Sequence, residues 1–222
     1  MIDIDKYIAQ LIVLLKNQFQ SRLLYVGLQG SYLRGEATED SDIDIMVVID
    51  ELCVADLECY RTIIQSTEYA SKACGFICSK SDLANWNPME ICHILHTTKD
   101  YYGMLTELTP SYTKLDVQNF VRLNLNNLYH EICHRFIHAE TQKNIDALPH
   151  TYKSVFFILQ NLYYLRHGKY IATKAELLSL LEGKDHDVLE CSIQLSKEHH
   201  HDFRICFDLL FTWCQKTLQS IC

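Results

Sequence analysis

Two short motifs in the first fifty residues combine residue types that can act together chemically. Gly30-Ser31 follows an apolar run, and Asp42-Ile43-Asp44 begins the next one. Because alternate residues of a strand point to the same face, the Asp42 and Asp44 side chains are predicted to project side by side. Two converging carboxylates repel each other unless a cation lies between them, and their hard oxygen atoms suit Mg²⁺. The pair therefore predicts a divalent metal site.

The Gly-Ser pair predicts a binding position for phosphate beside that metal. Gly30 allows the backbone to approach a ligand closely, and Ser31 offers a hydroxyl and an N–H to a phosphate oxygen. Arg34 can add positive charge near phosphate or pair with an acidic neighbour. Each motif alone is common at turns and solvated strand ends. Their order along the chain (strand, Gly-Ser, loop, Asp-x-Asp strand) is rare and favours the functional interpretation.

These motifs need strands and a supporting helix to position them. Apolar residues recur every three to four positions from Ile4 to Phe19, which indicates an amphipathic helix. The short apolar runs 23–28 and 43–49 indicate buried strands. A further helix is predicted from Ala55 to Cys74, ended by Gly75, and it is followed by a weaker third strand over 76–79.

From about residue 109 the apolar pattern becomes helical throughout. The periodic segments are Leu115–Ala139, Tyr152–Arg166, Lys174–Leu181, Val188–Lys197 and Phe203–Leu218. We therefore predict an α+β fold, in which a small mixed-sheet domain (residues 1–108) is followed by an all-α helical bundle (residues 109–222).

Composition limits the classes of function. The chain has 222 residues and a formal net charge of -8, which argues against broad binding of nucleic acid. No apolar stretch reaches the roughly 20 residues of a membrane helix, so no membrane association is expected. The N-terminal residues lack the basic and apolar regions of a secretory signal. A cytoplasmic location with reduced cysteines is therefore expected.

Gly30-Ser31, Arg34-Gly35 and Ser41-Asp42-Ile43-Asp44 together resemble the signature of the DNA polymerase β-type nucleotidyltransferase superfamily. The compact bacterial group that includes the aminoglycoside nucleotidyltransferases is the most similar. The resemblance implies that Asp42 and Asp44 hold Mg²⁺, with two ions expected when an NTP is bound. It also implies transfer of a nucleoside monophosphate from an NTP, with ATP as the expected donor, to a hydroxyl of a small-molecule acceptor. Pyrophosphate is released, and an antibiotic is among the candidate acceptors.

The same resemblance draws attention to two other parts of the chain. Segment 162–176 is similar to one in the aminoglycoside enzymes that places a lysine on the triphosphate, which suggests this role for Lys174. An exposed lysine in the first turn of a helix is the alternative. The family generally carries a third carboxylate on the following strand, whereas segment 76–80 has none. Asp82 is the predicted substitute, and Glu90 is a more distant option.

The missing carboxylate keeps a second class of function open. The protein could be a nucleotide-binding regulator of the antitoxin type, or it could transfer AMP to a protein partner. The helical domain could then provide a partner surface or a homodimer interface, instead of an acceptor pocket.

Histidines and cysteines form the remaining patterns. His130, His134 and His138 recur every fourth residue, so one helix face could present two imidazoles to a metal or a base to the acceptor. Partly buried histidines, hydrogen-bonded within the bundle, are the preferred interpretation. His199–His201 are predicted to form a solvated turn or a cap before the last helix. The spacing of Cys74 and Cys78 does not favour a zinc site.

Overall fold

The apolar runs on either side of the Gly-Ser motif form the two central strands of a mixed sheet. In the computed structural model, which describes residues 2–197 and 202–221, β1 spans Leu23–Leu28 and β2 spans Ile43–Ile49. The two strands pair antiparallel. β3, Ala73–Ser79, runs parallel to β2, and β4, Lys99–Tyr102, runs antiparallel to β1. The strand order is β3-β2-β1-β4, so β1 and β2 lie at the centre.

Five helices accompany the sheet among the described residues up to Tyr112. They are α1 (Ile4–Phe19), α2 (Gly30–Arg34), α3 (Val54–Ser66), α4 (Lys80–Ala84) and α5 (Pro88–His96). The apolar stripe of α1 is fully buried through Ile8, Leu11 and Leu15, in one cluster with inward residues of β1 and β2. Burying such a side chain contributes about 1.5–3 kcal/mol. Helix α1 therefore holds the two site-bearing strands in place.

The opposite face of the sheet carries a second apolar cluster. Tyr25, Met46 and Val48 are completely buried there, and Ile94 and Leu95 of α5 pack against them. Since strand residues alternate between faces, the residue two positions before Met46 lies on this same face. That residue is Asp44, so the predicted metal ligand stands at the end of this apolar cluster.

Strand β3 begins earlier than the sequence pattern predicts. Helix α3 ends at Ser66, and Gly75, predicted to end a helix, lies within β3. Gly75 has a φ of +107°, and a Cβ there would lie 2.0 Å from the carbonyl oxygen of Ile45. Glycine is therefore required by the close approach of β2, and the prediction of helix up to Cys74 is wrong.

The rest of the described chain is helical after a short 3-10 turn. The helices are α6 (Lys114–His138), α7 (Thr141–His167), α8 (Lys174–Leu180), α9 (Gly183–Leu195) and α10 (Phe203–Ser220). The chain divides into two compact units, Met1–Tyr112 and Thr113–Cys222. The predicted α+β fold is confirmed. Within the described residues, no helix has both the length and the apolar character that a membrane span requires. His199–His201 lie outside the described residues.

Candidate active site

The Gly-Ser motif and the Asp-x-Asp motif meet at the end of the β1–β2 hairpin. The backbone N–H of Gln29 donates to the Asp44 carbonyl over 2.8 Å, which extends the pairing beyond β1. Gly30 then begins α2 with a φ of +71°. A Cβ on Gly30 would lie only 1.9 Å from Oδ2 of Asp44. The Asp44 carboxylate therefore occupies the space that a side chain at position 30 would need.

Asp42 and Asp44 form a pair of interacting carboxylates, as their spacing predicts. Asp42 is exposed just before β2, and Asp44 is half-buried as its second residue. Burial raises the pKa of the Asp44 carboxyl, and the negative charge of Asp42 raises it further. A bound cation between the two groups would relieve both effects.

The two carboxylates suit a Mg²⁺ ion that also binds water and substrate, rather than a metal ion whose ligands all come from the protein. Among the residues described, no three His, Cys, Asp or Glu side chains cluster in a way that could hold a metal ion. Mg²⁺ usually takes one or two carboxylates and completes its octahedron with water and substrate phosphates. The donor set present therefore fits Mg²⁺ held jointly with a nucleotide.

The loop before Asp42 is fixed by its own hydrogen bonds. The Thr38 N–H donates to Oγ of Ser41 over 2.8 Å, and the Ser41 N–H donates back to the Thr38 carbonyl over 3.2 Å. The Lys72 ammonium donates to the Glu39 carbonyl and so ties this turn to the chain entering β3. These bonds hold the backbone that leads into Asp42 and β2.

Cys74 occupies the place on β3 that faces Asp44. In the parallel pairing of β2 and β3, Asp44 and Cys74 are direct partners. The Cys74 thiol donates a hydrogen bond to the Asp44 carboxylate, which acts to lower the carboxyl pKa against the larger effect of burial. Sequence reasoning missed this residue because the predicted strand began after it.

Asp82 does not substitute for the missing carboxylate. β2 and β3 end together at Ile49 and Ser79, roughly 16 Å along the strands from Asp44 and Cys74. Asp82 lies beyond that end, where its carboxylate accepts from the Ser79 N–H over 3.0 Å in a capping box that begins α4. We therefore do not retain Asp82 as a catalytic candidate. Glu90 is exposed in the first turn of α5.

Arg34 supplies positive charge beside the carboxylates. Its guanidinium, with only 14% of the side chain exposed, pairs with Glu36 at 2.8 Å. It also acts to lower the pKa of Asp44, so both interpretations of Arg34 in the sequence have support: it pairs with an acid and lies close to the site. Ser31 is half-buried in the first turn of α2, where its carbonyl accepts from the Glu36 N–H at 2.9 Å.

The last turn of α5 brings two histidines to this part of the sheet. Burial lowers the pKa of His93 to about 4, and the charges of Arg34 and His96 contribute to that shift. His93 is therefore neutral near pH 7 and lies close enough to Arg34 to feel its charge. No spacing pattern in the sequence connects α5 with α2, so the proximity comes from tertiary packing alone.

Lys174 belongs to the second unit, Thr113–Cys222. It is the first residue of α8, with Thr173 as the N-cap. Its ammonium lies 5.8 Å from the centroid of the Phe156 ring, and it lines a cavity of about 500 Å³ together with Lys153. Its predicted contact with a triphosphate remains a prediction.

Part of the chain is similar in sequence to known proteins. A family model described as "Nucleotidyltransferase domain" matches residues 11–74, the segment from α1 to the position facing Asp44. A protein of Methanocaldococcus jannaschii, provisionally named a protein adenylyltransferase, is 36% identical over 69 residues, which cover 28% of this chain and 69% of the relative.

A solved structure is similar over nearly the full length of both chains. It is spectinomycin adenyltransferase AAD(9) from Enterococcus faecialis, determined with ATP and spectinomycin. The match covers 97% of this chain and 99% of that chain with a TM-score of 0.61 and 14% sequence identity. At this low identity the similarity establishes the fold, helical half included.

Proposed function

The chain belongs to the nucleotidyltransferase family and is a transferase, and on that premise we propose that it is a Mg²⁺-dependent adenylyltransferase acting on a small molecule. AMP would pass from ATP to a hydroxyl of the acceptor. The observation that carries the proposal is the contact between Gly30 and Asp44, because it joins a phosphate-binding turn to a metal-binding carboxylate. If the Gly-Ser turn and the Asp-x-Asp strand were unrelated features, nothing would require a glycine in contact with the Asp44 carboxylate.

Each residue of the site has a role in this reaction. Asp42 and Asp44 would hold Mg²⁺, which when bound neutralises negative charge on the phosphates as the bond to pyrophosphate breaks. Gly30 and Ser31 would contact phosphate oxygens, and Arg34 would add positive charge there. The acceptor hydroxyl oxygen forms a bond to the α-phosphorus and its proton passes to solvent, while the bond from that phosphorus to the bridging oxygen breaks and pyrophosphate leaves.

The comparison structure supports ATP as donor and a small molecule as acceptor. That enzyme was determined with ATP and spectinomycin, and it shares this chain's fold from the sheet through the helical half. The net charge of -8 is compatible with a cationic acceptor. Lys174 is proposed to contact the triphosphate, and in that case Lys174→Ala would raise KM for ATP severalfold.

AMP transfer to a protein hydroxyl is the second candidate. The Methanocaldococcus jannaschii relative favours this candidate, since its provisional name assigns this activity and it is 36% identical to this chain over 69 residues. The chemistry at the α-phosphorus would be the same, and only the acceptor would differ. Mass spectrometry of proteins incubated with the enzyme and ATP would show a mass increase of one AMP.

The test uses ATP labelled at the α-phosphate, Mg²⁺ and a panel of aminoglycosides and other polyhydroxylated acceptors. Asp42→Asn should lower label transfer by about 10²–10³-fold, because one metal ligand is lost. Asp40→Asn is the matched control, since Asp40 is an exposed acid in the same loop. Wild-type transfer by Asp42→Asn would overturn the metal assignment. Nucleotide binding without transfer to any molecule or protein would support the regulatory alternative.

A further inference from the structure

Three histidines form a stripe on the exposed face of α6. His130, His134 and His138 are all exposed, so the expectation that they are partly buried within the bundle is wrong. They lie on one side of the helix because residues four apart are neighbours on its surface. Among the residues that the structure describes, no hydrogen-bond or ion-pair partner is found for His134 or His138. These rings are therefore accessible to an external ligand.

The separation of two of these rings matches that of two ligands on one metal ion. A metal lies about 2.1 Å from an imidazole nitrogen, and hence about 3.2 Å from the ring centroid. Two such rings at angles between a right angle and a tetrahedral angle have centroids about 4.5–5.2 Å apart. The centroids of His134 and His138 are 4.8 Å apart, with ring planes inclined by 48°.

The neighbouring pair does not meet this criterion. The centroids of His130 and His134 are 5.9 Å apart, wider than two ligands of one tetrahedral ion or two adjacent (cis) ligands of an octahedral ion. Metal ligation there would require a change of side-chain rotamer, which costs free energy. The structure thus distinguishes two pairs that are equivalent in the sequence.

We propose that His134 and His138 form a surface site for a transition-metal dication of the kind that binds imidazole, such as Ni²⁺ or Zn²⁺. Neutral imidazole nitrogen is a good ligand for these ions and a poor one for Mg²⁺. Since the described residues place no third His, Cys, Asp or Glu for a metal, water would complete the coordination. The ion would link consecutive turns of α6 near its C-terminal end and so stabilise the last turns of the helix.

The test is calorimetric titration of the full chain with Ni²⁺ alone as the probe. The buffer contains excess Mg²⁺ to occupy the carboxylate site, and its mildly alkaline pH keeps imidazole neutral. His199, His200 and His201 are changed to Ser in every protein, because three consecutive histidines would bind Ni²⁺ by themselves. One Ni²⁺ per chain is expected to bind, and His134→Asn or His138→Asn should each weaken binding at least tenfold.

His130→Asn is the matched control, since it removes a histidine from the same face and should change the affinity less than threefold. If His130→Asn weakened Ni²⁺ binding as much as the other variants, the assignment to His134 and His138 would be overturned. If His138→Asn left Ni²⁺ binding unchanged, the site itself would be overturned. Thermal unfolding gives a second readout. Ni²⁺ should raise the Tm of the background protein and leave that of His138→Asn unchanged, even if either variant alters basal stability.

Discussion

Gly30 and Asp44 are in direct contact: the space in which any other residue would carry its Cβ is taken by an Asp44 carboxylate oxygen. The contact links the turn after β1 with the second residue of β2. Glycine is therefore required at position 30 for two reasons. The backbone there is left-handed, and the Asp44 side chain leaves no room for a Cβ.

Gly30→Ala should abolish AMP transfer while Gly35→Ala should not. Both glycines have left-handed backbone, with φ of +71° and +69°, so alanine is strained at each. Only at position 30 would the new Cβ meet Asp44, since nothing lies within 4 Å of a Cβ on Gly35. We expect Gly35→Ala to lose about 1–2 kcal/mol of unfolding free energy through backbone strain, and Gly30→Ala to lose at least as much because the Asp44 side chain must also move. Transfer should fall at least about 100-fold in Gly30→Ala alone. Equal activities of the two variants would show that the contact is dispensable.

Asp44→Asn should lose activity without losing stability. Burial and the charge of Asp42 both disfavour the ionised Asp44 carboxylate in the metal-free protein, as its raised pKa indicates. An amide of the same size removes that cost, so Tm without metal should be unchanged or higher. Transfer should fall about 10²–10³-fold because a metal ligand is lost. Parallel Tm and transfer measurements check this, and a marked drop in Tm would contradict the electrostatic account.

Alkylation of Cys74 should block transfer. The residue is exposed and directly faces Asp44, so an N-ethylmaleimide adduct on its sulfur would crowd the carboxylates. We expect about tenfold or greater loss of activity in the wild type, and slower loss when Mg²⁺ and ATP are present. Cys74→Ser should be active and resistant to the reagent. Cys53→Ser controls for another exposed thiol, and if it conferred the resistance, the assignment to Cys74 would fail.

His93 should make folding stability sensitive to mild acid. The folded-state pKa of this imidazole is lowered to about 4 from an ordinary value of 6.5. Below pH 6.5 the unfolded chain takes up a proton that the folded protein does not, so stability falls as pH drops from 6.5 towards 4. The slope approaches about 1 kcal/mol per pH unit. Urea unfolding across this range should show a shallower dependence for His93→Gln. The exposed-residue variant His130→Gln should behave like the wild type.

Much of the site could be predicted because its determinants are local in sequence. The alternation of Asp42, Ile43 and Asp44 fixes which side chains share a face, and the Gly-Ser pair follows a recognisable strand. The two strands and α1 are found where the apolar pattern places them.

The missed features depend on contacts between distant segments. A glycine in the sequence can mark either the end of a helix or a strand position that another backbone approaches closely. At Gly75 only the nearby Ile45 backbone, which the sequence does not show, decides between these two possibilities. Misplacing that glycine hid Cys74 and made Asp82 look close to the site. His93 was likewise unpredictable, because its position beside Arg34 follows from how α5 packs on the sheet.

The antiparallel connection of β1 to β2 also has a consequence for biosynthesis. Gly30 and Asp44 belong to one hairpin, so their contact closes only a short loop and costs little chain entropy. Cys74 joins them through a parallel crossover that includes α3, which is a longer and slower closure. During translation Gly30 and Asp44 therefore leave the ribosome before Cys74, whose contact with Asp44 requires the pairing of β3 with β2.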